Sequence, residues 1–183
     1  MPLTVIDRRA ALVIVDLQVG VVDMGVPGTP DVVARSARLA DAFRAHGHLV
    51  VLVNVDGGPG GRSDANPAGG IRRIPVEELA FAPEHGQRSD DLVITKHTRG
   101  AFHGTALAQE LAARGVTQVV VTGIATGSGV EETAREAYAH GLNVVAVVDA
   151  MADRDPETHA FCVRKVLPKF TETATTDEVL AAL

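Results

Sequence analysis

The sequence predicts an α/β fold, a parallel sheet with helices on both faces, and three observations point to it. Four short runs of aliphatic and β-branched residues lack the alternation of a half-exposed strand, as strands buried on both faces do. Stretches with apolar residues at helical spacing separate those runs. One junction also recurs: Ala-His-Gly-His-Leu-Val-Val-Leu-Val (45–53), Ala-Arg-Gly-Val-Thr-Gln-Val-Val-Val (113–121) and Ala-His-Gly-Leu-Asn-Val-Val-Ala-Val (139–147) each read as helix, glycine cap and buried strand. Three unequally spaced junctions are too few for a solenoid.

Residues 11–18, Ala-Leu-Val-Ile-Val-Asp-Leu-Gln, read as a buried strand that delivers the Asp16 carboxylate. A loop with Gly20, Gly25, Pro27 and Gly28 leads to a helix capped by Thr29, with Pro30 in its first turn. Val32, Val33, Ser36, Leu39, Ala40 and Phe43 share one face of it, Gly47 ends it, and residues 49–55 form the second strand. Residues 56–75 hold six glycines and three prolines, a loop of the length that binding segments and lids have. The third strand, 92–95, ends at Lys96. Beyond the 97–104 loop, Thr105 caps a helix that turns Leu107 and Leu111 inward and stops at Gly115.

The fourth strand, 118–122, enters an elbow, Gly123-Ile-Ala-Thr-Gly-Ser-Gly129, and then a helix with Val130, Thr133, Ala134, Ala137 and Tyr138 on one stripe. Ser128 and Glu131 stand at capping-box spacing, and Glu132 adds a second carboxylate to the positive helix end. Residues 143–148 are the fifth strand, ending at Asp149. Pro156 opens a helix with Ala160, Val163, Val166 and Leu167 inward, up to Pro168. Residues 169–173 form a sixth, edge strand and 177–183 a last helix.

A chain of 183 residues suits one domain spanning 1–183. No run approaches the ~18 apolar residues of a membrane span, and the first residues resemble no export signal, so a soluble, cytoplasmic protein is expected. The net charge of −6, with no Trp and one Tyr, argues against a nucleic-acid partner. The single Cys162 reads as a buried structural thiol.

In such sheets ligands bind beyond the carboxyl ends of the strands. Those ends carry Asp16, Asp56, Lys96, the elbow and Asp149. Asp16 and Lys96, expected on near-neighbour strands, make either a proton-transfer pair or a structural ion pair. The elbow aims backbone N–H groups at the same region, a ready oxyanion site. Neither the G-x-S-x-G of serine hydrolases nor a dinucleotide or P-loop fingerprint fits its spacing. The seven histidines lack ligand spacing, so no metal is expected.

Together these residues resemble the isochorismatase-like hydrolase family of the cysteine hydrolase superfamily. The resemblance rests on Ala-Leu-Val-Ile-Val-Asp16-Leu-Gln18, on Lys96 with Ala101-Phe102-x-Gly104-Thr105-x-Leu107, and on Gly-Ile-Ala-Thr126-x-x-Gly129-Val-Glu-x-Thr133-Ala134-x-x-Ala137. It implies a six-stranded, Rossmann-like three-layer sandwich and a homodimer or higher homo-oligomer. It also implies a site joining Asp16 and Lys96 to the residue at position 129, with a non-proline cis peptide at Ile124–Ala125. In the family's amidases that third residue is the nucleophilic cysteine; here it is Gly129, and the space a cysteine would fill is expected to be open. The zinc-binding Asp-x-His of nicotinamidases is missing, since Gly57-Gly58 follow Asp56. Gly100 replaces a serine often found after the lysine. Isochorismatases also carry glycine at the cysteine position and hydrolyse a vinyl ether with the aspartate as acid and water as nucleophile.

The expectation is a cofactor-independent hydrolase of a small anionic molecule. Asp16 serves as acid or base, Lys96 sets its charge and contacts the substrate, and Ala125 and Gly129 offer N–H groups. Gln18, Arg99, Phe102, Thr126 and Ser128 line the pocket, Arg99 being suited to a carboxylate. The alternative is a non-catalytic binding protein that kept the pocket.

Overall fold

The aliphatic runs become a single all-parallel sheet. In the computed structural model, which describes residues 3–71 and 73–183, the strands are β1 (Ala10–Val15), β2 (Leu49–Val55), β3 (Leu92–Lys96), β4 (Gln118–Ile124), β5 (Asn143–Ala152) and β6 (Glu172–Ala174). Their order is β3-β2-β1-β4-β5-β6. Every residue of the adjacent strands β1 and β4 is buried, which is why both read as unbroken apolar runs. Helices are α1 (Val19–Val22), α2 (Thr29–Ala45), α3 (Leu107–Ala113), α4 (Glu131–Ala139), α5 (Pro156–Phe161) and α6 (Thr176–Ala182).

The pleat divides β1 between two cores. Leu12 and Ile14 join Val32, Leu39 and Phe43 of α2 and Val179 of α6 on one face. Val13 and Val15 join Leu107 and Leu111 of α3 and Ala134 and Ala137 of α4 on the other. Each fully buried Leu or Phe contributes roughly 1.5–3 kcal/mol. The chain builds outward from β1 to β3, then crosses back to β4, so its direction reverses between β1 and β4. That reversal opens the crevice where such sheets bind ligands. No described helix is long and apolar enough to cross a membrane.

Several local expectations are corrected. Strand β1 stops at Val15; Asp16 has a φ of 55°, and Leu17 and Gln18 lead into α1, a turn that read as loop. Gly28, in the left-handed region, precedes α2, so Thr29 lies inside the helix and its hydroxyl donates to the Val26 carbonyl. Strand β5 runs past Asp149 to Ala152 through a register break against β4. Asp149 accepts from the Thr176 N–H at 2.7 Å and lies 3.4 Å from Arg35, holding helices rather than a ligand.

Tyr138 is exposed because the buried stripe of α4 ends at Ala137. The helix after Pro156 stops at Phe161 and loosens into a wider turn over Cys162–Val166 and a tight one over Leu167–Lys169. Ala160 therefore faces solvent, while Cys162 and Leu167 are buried. The Pro168 turn moves the edge strand on to Glu172–Ala174, and a Thr175–Glu178 capping box opens α6. Thr105 does accept from the Leu107 N–H, at 3.2 Å. At the crevice, Gly123 is required sterically: it has a φ of 122°, and any Cβ there would overlap the Val15 carbonyl.

Candidate active site

The register that pairs Val15 with Val53 and Val55 with Lys96 brings the ends of β1 and β3 to one level. Asp16 and Lys96 come from near-neighbour strands, with β2 between them. Lys96 reaches across, with its Nζ 2.9 Å from Asp16 Oδ2. It also donates to the carbonyls of Arg99, at 2.8 Å, and Thr98, at 3.2 Å. An ammonium has three N–H donors, and these three acceptors use them all. Lys96, 1% exposed, thus has no donor left for a substrate, which corrects that part of its expected role.

Asp16 is in a different position. Its Oδ1 is buried without a hydrogen-bond partner among the described residues. Burial pushes its carboxyl up to about 6, while Lys96 pulls the other way. Near neutral pH such a group can both give and take a proton.

The elbow stands opposite. The Ile124–Ala125 peptide is cis. The Ala125 carbonyl accepts from the Ser128 and Val130 N–H groups at 3.1 and 3.2 Å, forming a wide first turn in place of the expected Ser128–Glu131 box. Glu131 pairs instead with Arg135. The Gly127 N–H donates to Asp153 at 2.8 Å, whereas the Ala125 N–H makes no hydrogen bond among the described residues. The volume beside Gly129 is not open as expected. A Cβ there would lie 3.0 Å from Asp16 Oδ2, 3.2 Å from Val15 Cγ1 and 3.4 Å from the Arg99 carbonyl oxygen.

These groups border a cavity of about 630 Å³. Asp16, Lys96, Arg99, Ala125, Ser128 and Gly129 meet there. The four other expected residues do not line it. The Ile124 side chain packs in the core. Gln18 accepts from the Val55 N–H and donates to the Val55 and Glu78 carbonyls, stitching β2 to the 76–79 turn. Phe102 stacks on His140 with ring centroids 5.1 Å apart. The Thr126 hydroxyl lies 2.8 Å from His159 Nδ1.

Much of the remaining wall comes from the 56–75 loop, including Gly57, Gly58, Gly60, Gly61, Arg62, Ser63 and Asn66; Arg72 of this loop lies outside the described residues. Asp56 closes the loop on itself, accepting from the Ile74 N–H at 3.1 Å and from Arg73 at 2.8 Å. Arg62 was not singled out in the sequence because nothing near it marks which loop side chain turns inward. Among the described residues no group of His, Cys, Asp and Glu is arranged to hold a metal.

Comparison with known proteins agrees with this fold. The isochorismatase domain model matches residues 10–178. The chain belongs to the isochorismatase family. Its fold overlays an isochorismatase family protein from Burkholderia thailandensis with a TM-score of 0.92 and 40% identity, covering 98% of this chain and 97% of that one. An uncharacterized isochorismatase family protein of Bacillus subtilis, YwoC, is 37% identical over 178 residues, covering 94% of this chain and 93% of that protein. The isochorismatase of Bacillus subtilis is 30% identical over 183 residues, covering 96% of this chain but 58% of that longer protein.

Proposed function

We propose that this isochorismatase-family domain hydrolyses a small anionic molecule by acid–base chemistry, with Asp16 moving the proton and water as the nucleophile. The observation that carries this reading is the half-satisfied Asp16 carboxyl: Oδ2 is held by Lys96, Oδ1 is buried without a partner among the described residues, and Asp16 borders the cavity. Asp16 gives its proton to the leaving fragment, water adds its hydroxyl to the other, and the remaining proton of water returns to Asp16. No covalent intermediate is needed, which suits glycine at position 129. Lys96 keeps the carboxylate form of Asp16 accessible after proton transfer.

The Ala125 and Gly129 N–H groups are the candidates to receive developing negative charge. Arg99 and Arg62 make no ion pair among the described residues, and their guanidinium groups suit an anionic substrate. Likeness to an isochorismatase favours a vinyl ether carrying a carboxylate as the first compound to try. The same reading extends to a homodimer or higher homo-oligomer, for which the exposed Tyr138 and Phe161 are candidate contacts. A monomer mass by light scattering at micromolar concentration would remove that extension.

The test is turnover of carboxylate-bearing vinyl ethers by the parent and by Asp16→Asn. The variant is expected to lose a factor of about 10²–10⁴. Equal turnover by both proteins overturns the role of Asp16. Tight binding without turnover in the parent marks a binding protein instead.

A further inference from the structure

We propose that Glu136, on α4, is a positioning residue for Asp16: its carboxylate anchors the 97–104 loop that completes the Lys96 shell, through space left by Gly100. The proposal rests on the reading of Asp16 as the proton-transfer group.

Glu136 Oε2 accepts from the Phe102 N–H at 2.9 Å. The same carboxylate fills the volume over the buried Gly100, where any Cβ would overlap it. Four residues on, at the C-cap of α4, His140 stacks on the Phe102 ring. One helix therefore grips one loop residue by its backbone and by its ring. Upstream of that grip, the Arg99 and Thr98 carbonyls accept from Lys96 Nζ, and the Thr98 hydroxyl donates to the Gly100 carbonyl at 3.0 Å. The Arg99 carbonyl also lies 3.4 Å from where a Cβ at position 129 would sit. Since α4 follows directly from the Gly129 elbow, Glu136 ties the elbow half of the site to the lysine half. The contacts run from Glu136 to the Phe102 amide, along the loop to the Arg99 carbonyl, and on to Lys96 and Asp16.

Releasing the loop takes two of the three acceptors from Lys96 and lets water reach Asp16. Burial is the larger cause of the raised Asp16 value, so wetting brings it down even as the lysine contact weakens. The experiment follows the Asp16 carboxyl by ¹³C NMR through a pH titration of the whole chain. Parent and Glu136→Gln, whose amide oxygen still accepts from Phe102, are expected to titrate alike. In Glu136→Ala the midpoint is expected to fall by about one unit or more. Should Glu136→Ala not fold, Gly100→Ala pushes the carboxylate aside without removing it and is expected to give the same fall.

A Glu136→Ala or Gly100→Ala protein that melts earlier with its Asp16 midpoint unmoved overturns the proposal, because Glu136 then serves stability alone. The titration needs no substrate. Failure of the hydrolase reading, seen as turnover indifferent to Asp16→Asn, is thus distinguishable from failure of this one.

Discussion

Two buried ion pairs bracket β3, and they differ in one respect. Before the strand, Asp91 meets Arg44 through two parallel contacts, Nε to Oδ1 at 3.0 Å and Nη2 to Oδ2 at 2.6 Å. The Arg88 N–H adds a third bond to Asp91, and Arg44 also donates to the His85 carbonyl. At the end of the strand, Lys96 meets Asp16 through one contact and leaves Oδ1 without a partner among the described residues. Burial is alike, with side chains 4% and 2% exposed in the first pair, and 1% and 9% in the second. Completeness of hydrogen bonding separates them. A fully bonded fork is architecture, whereas a carboxyl denied its last partner beside a cavity is poised to exchange a proton.

The largest expected effect breaks the satisfied pair. Arg44→Ala strands a buried carboxylate and should lower stability by about 3–5 kcal/mol in denaturant unfolding. Asp16→Asn should behave oppositely. Asparagine imitates the protonated carboxyl, the form that burial favours, so the variant should be no less stable than the parent at pH 7 while turnover is lost. A loss in Asp16→Asn comparable to that in Arg44→Ala would make both pairs architectural and undo the comparison.

The sequence made one pair legible and hid the other. Asp16 and Lys96 stand at the ends of recognisable buried strands, and the end of a parallel strand is where chemistry is sought. Arg44 and Asp91 sit at a helix end and in an irregular stretch 47 residues apart, with no periodicity to join them. The fold was readable because β1 and β4 are apolar throughout. Element ends were less so, since Asp16 and Gly28 take left-handed backbone and the helix widens at Cys162 for reasons that lie in their neighbours. The pocket walls were half legible: Arg99 and Ser128 adjoin motifs, but Gln18, Phe102 and Thr126 adjoin them equally and turn elsewhere. Side-chain direction depends on bonds to Val55, His140 and His159, which no local pattern announces.

An effect of intermediate size comes from pH. His85, 1% exposed and with neither ring nitrogen bonded among the described residues, is pushed down to about 4 by burial. Between pH 6.5 and 4 the unfolded chain binds the proton that native His85 refuses, so stability falls with acid by roughly 3 kcal/mol. Asp16 acts in reverse. The native state takes up its proton near pH 6 and the unfolded chain only near 3.8, so the same acidification adds roughly 3 kcal/mol. The two nearly cancel in the parent, whose stability from these groups should be flat from about pH 6 to 4. Asp16→Asn should expose the His85 decline, and His85→Leu the Asp16 rise. Identical pH profiles for all three proteins would mean that neither group is held as described.

The smallest effect tests how tightly Asp16 is confined. Gly129→Ala puts a methyl 3.0 Å from Asp16 Oδ2 and 3.2 Å from Val15 Cγ1. Gly129 needs no left-handed backbone, so alanine should gain up to about 1 kcal/mol from the stiffer unfolded chain. Crowding against a carboxylate held by Lys96 should lose about 2 kcal/mol, for a net loss near 1. The methyl and Oδ2 are in contact, so the effect should couple to residue 16. In an Asp16→Ala background the crowding atom is gone, and Gly129→Ala should become neutral or stabilising. Equal cost in both backgrounds would place the crowding on Val15 and the Arg99 carbonyl. Asp16 would then be free to shift, and Lys96 alone would hold it.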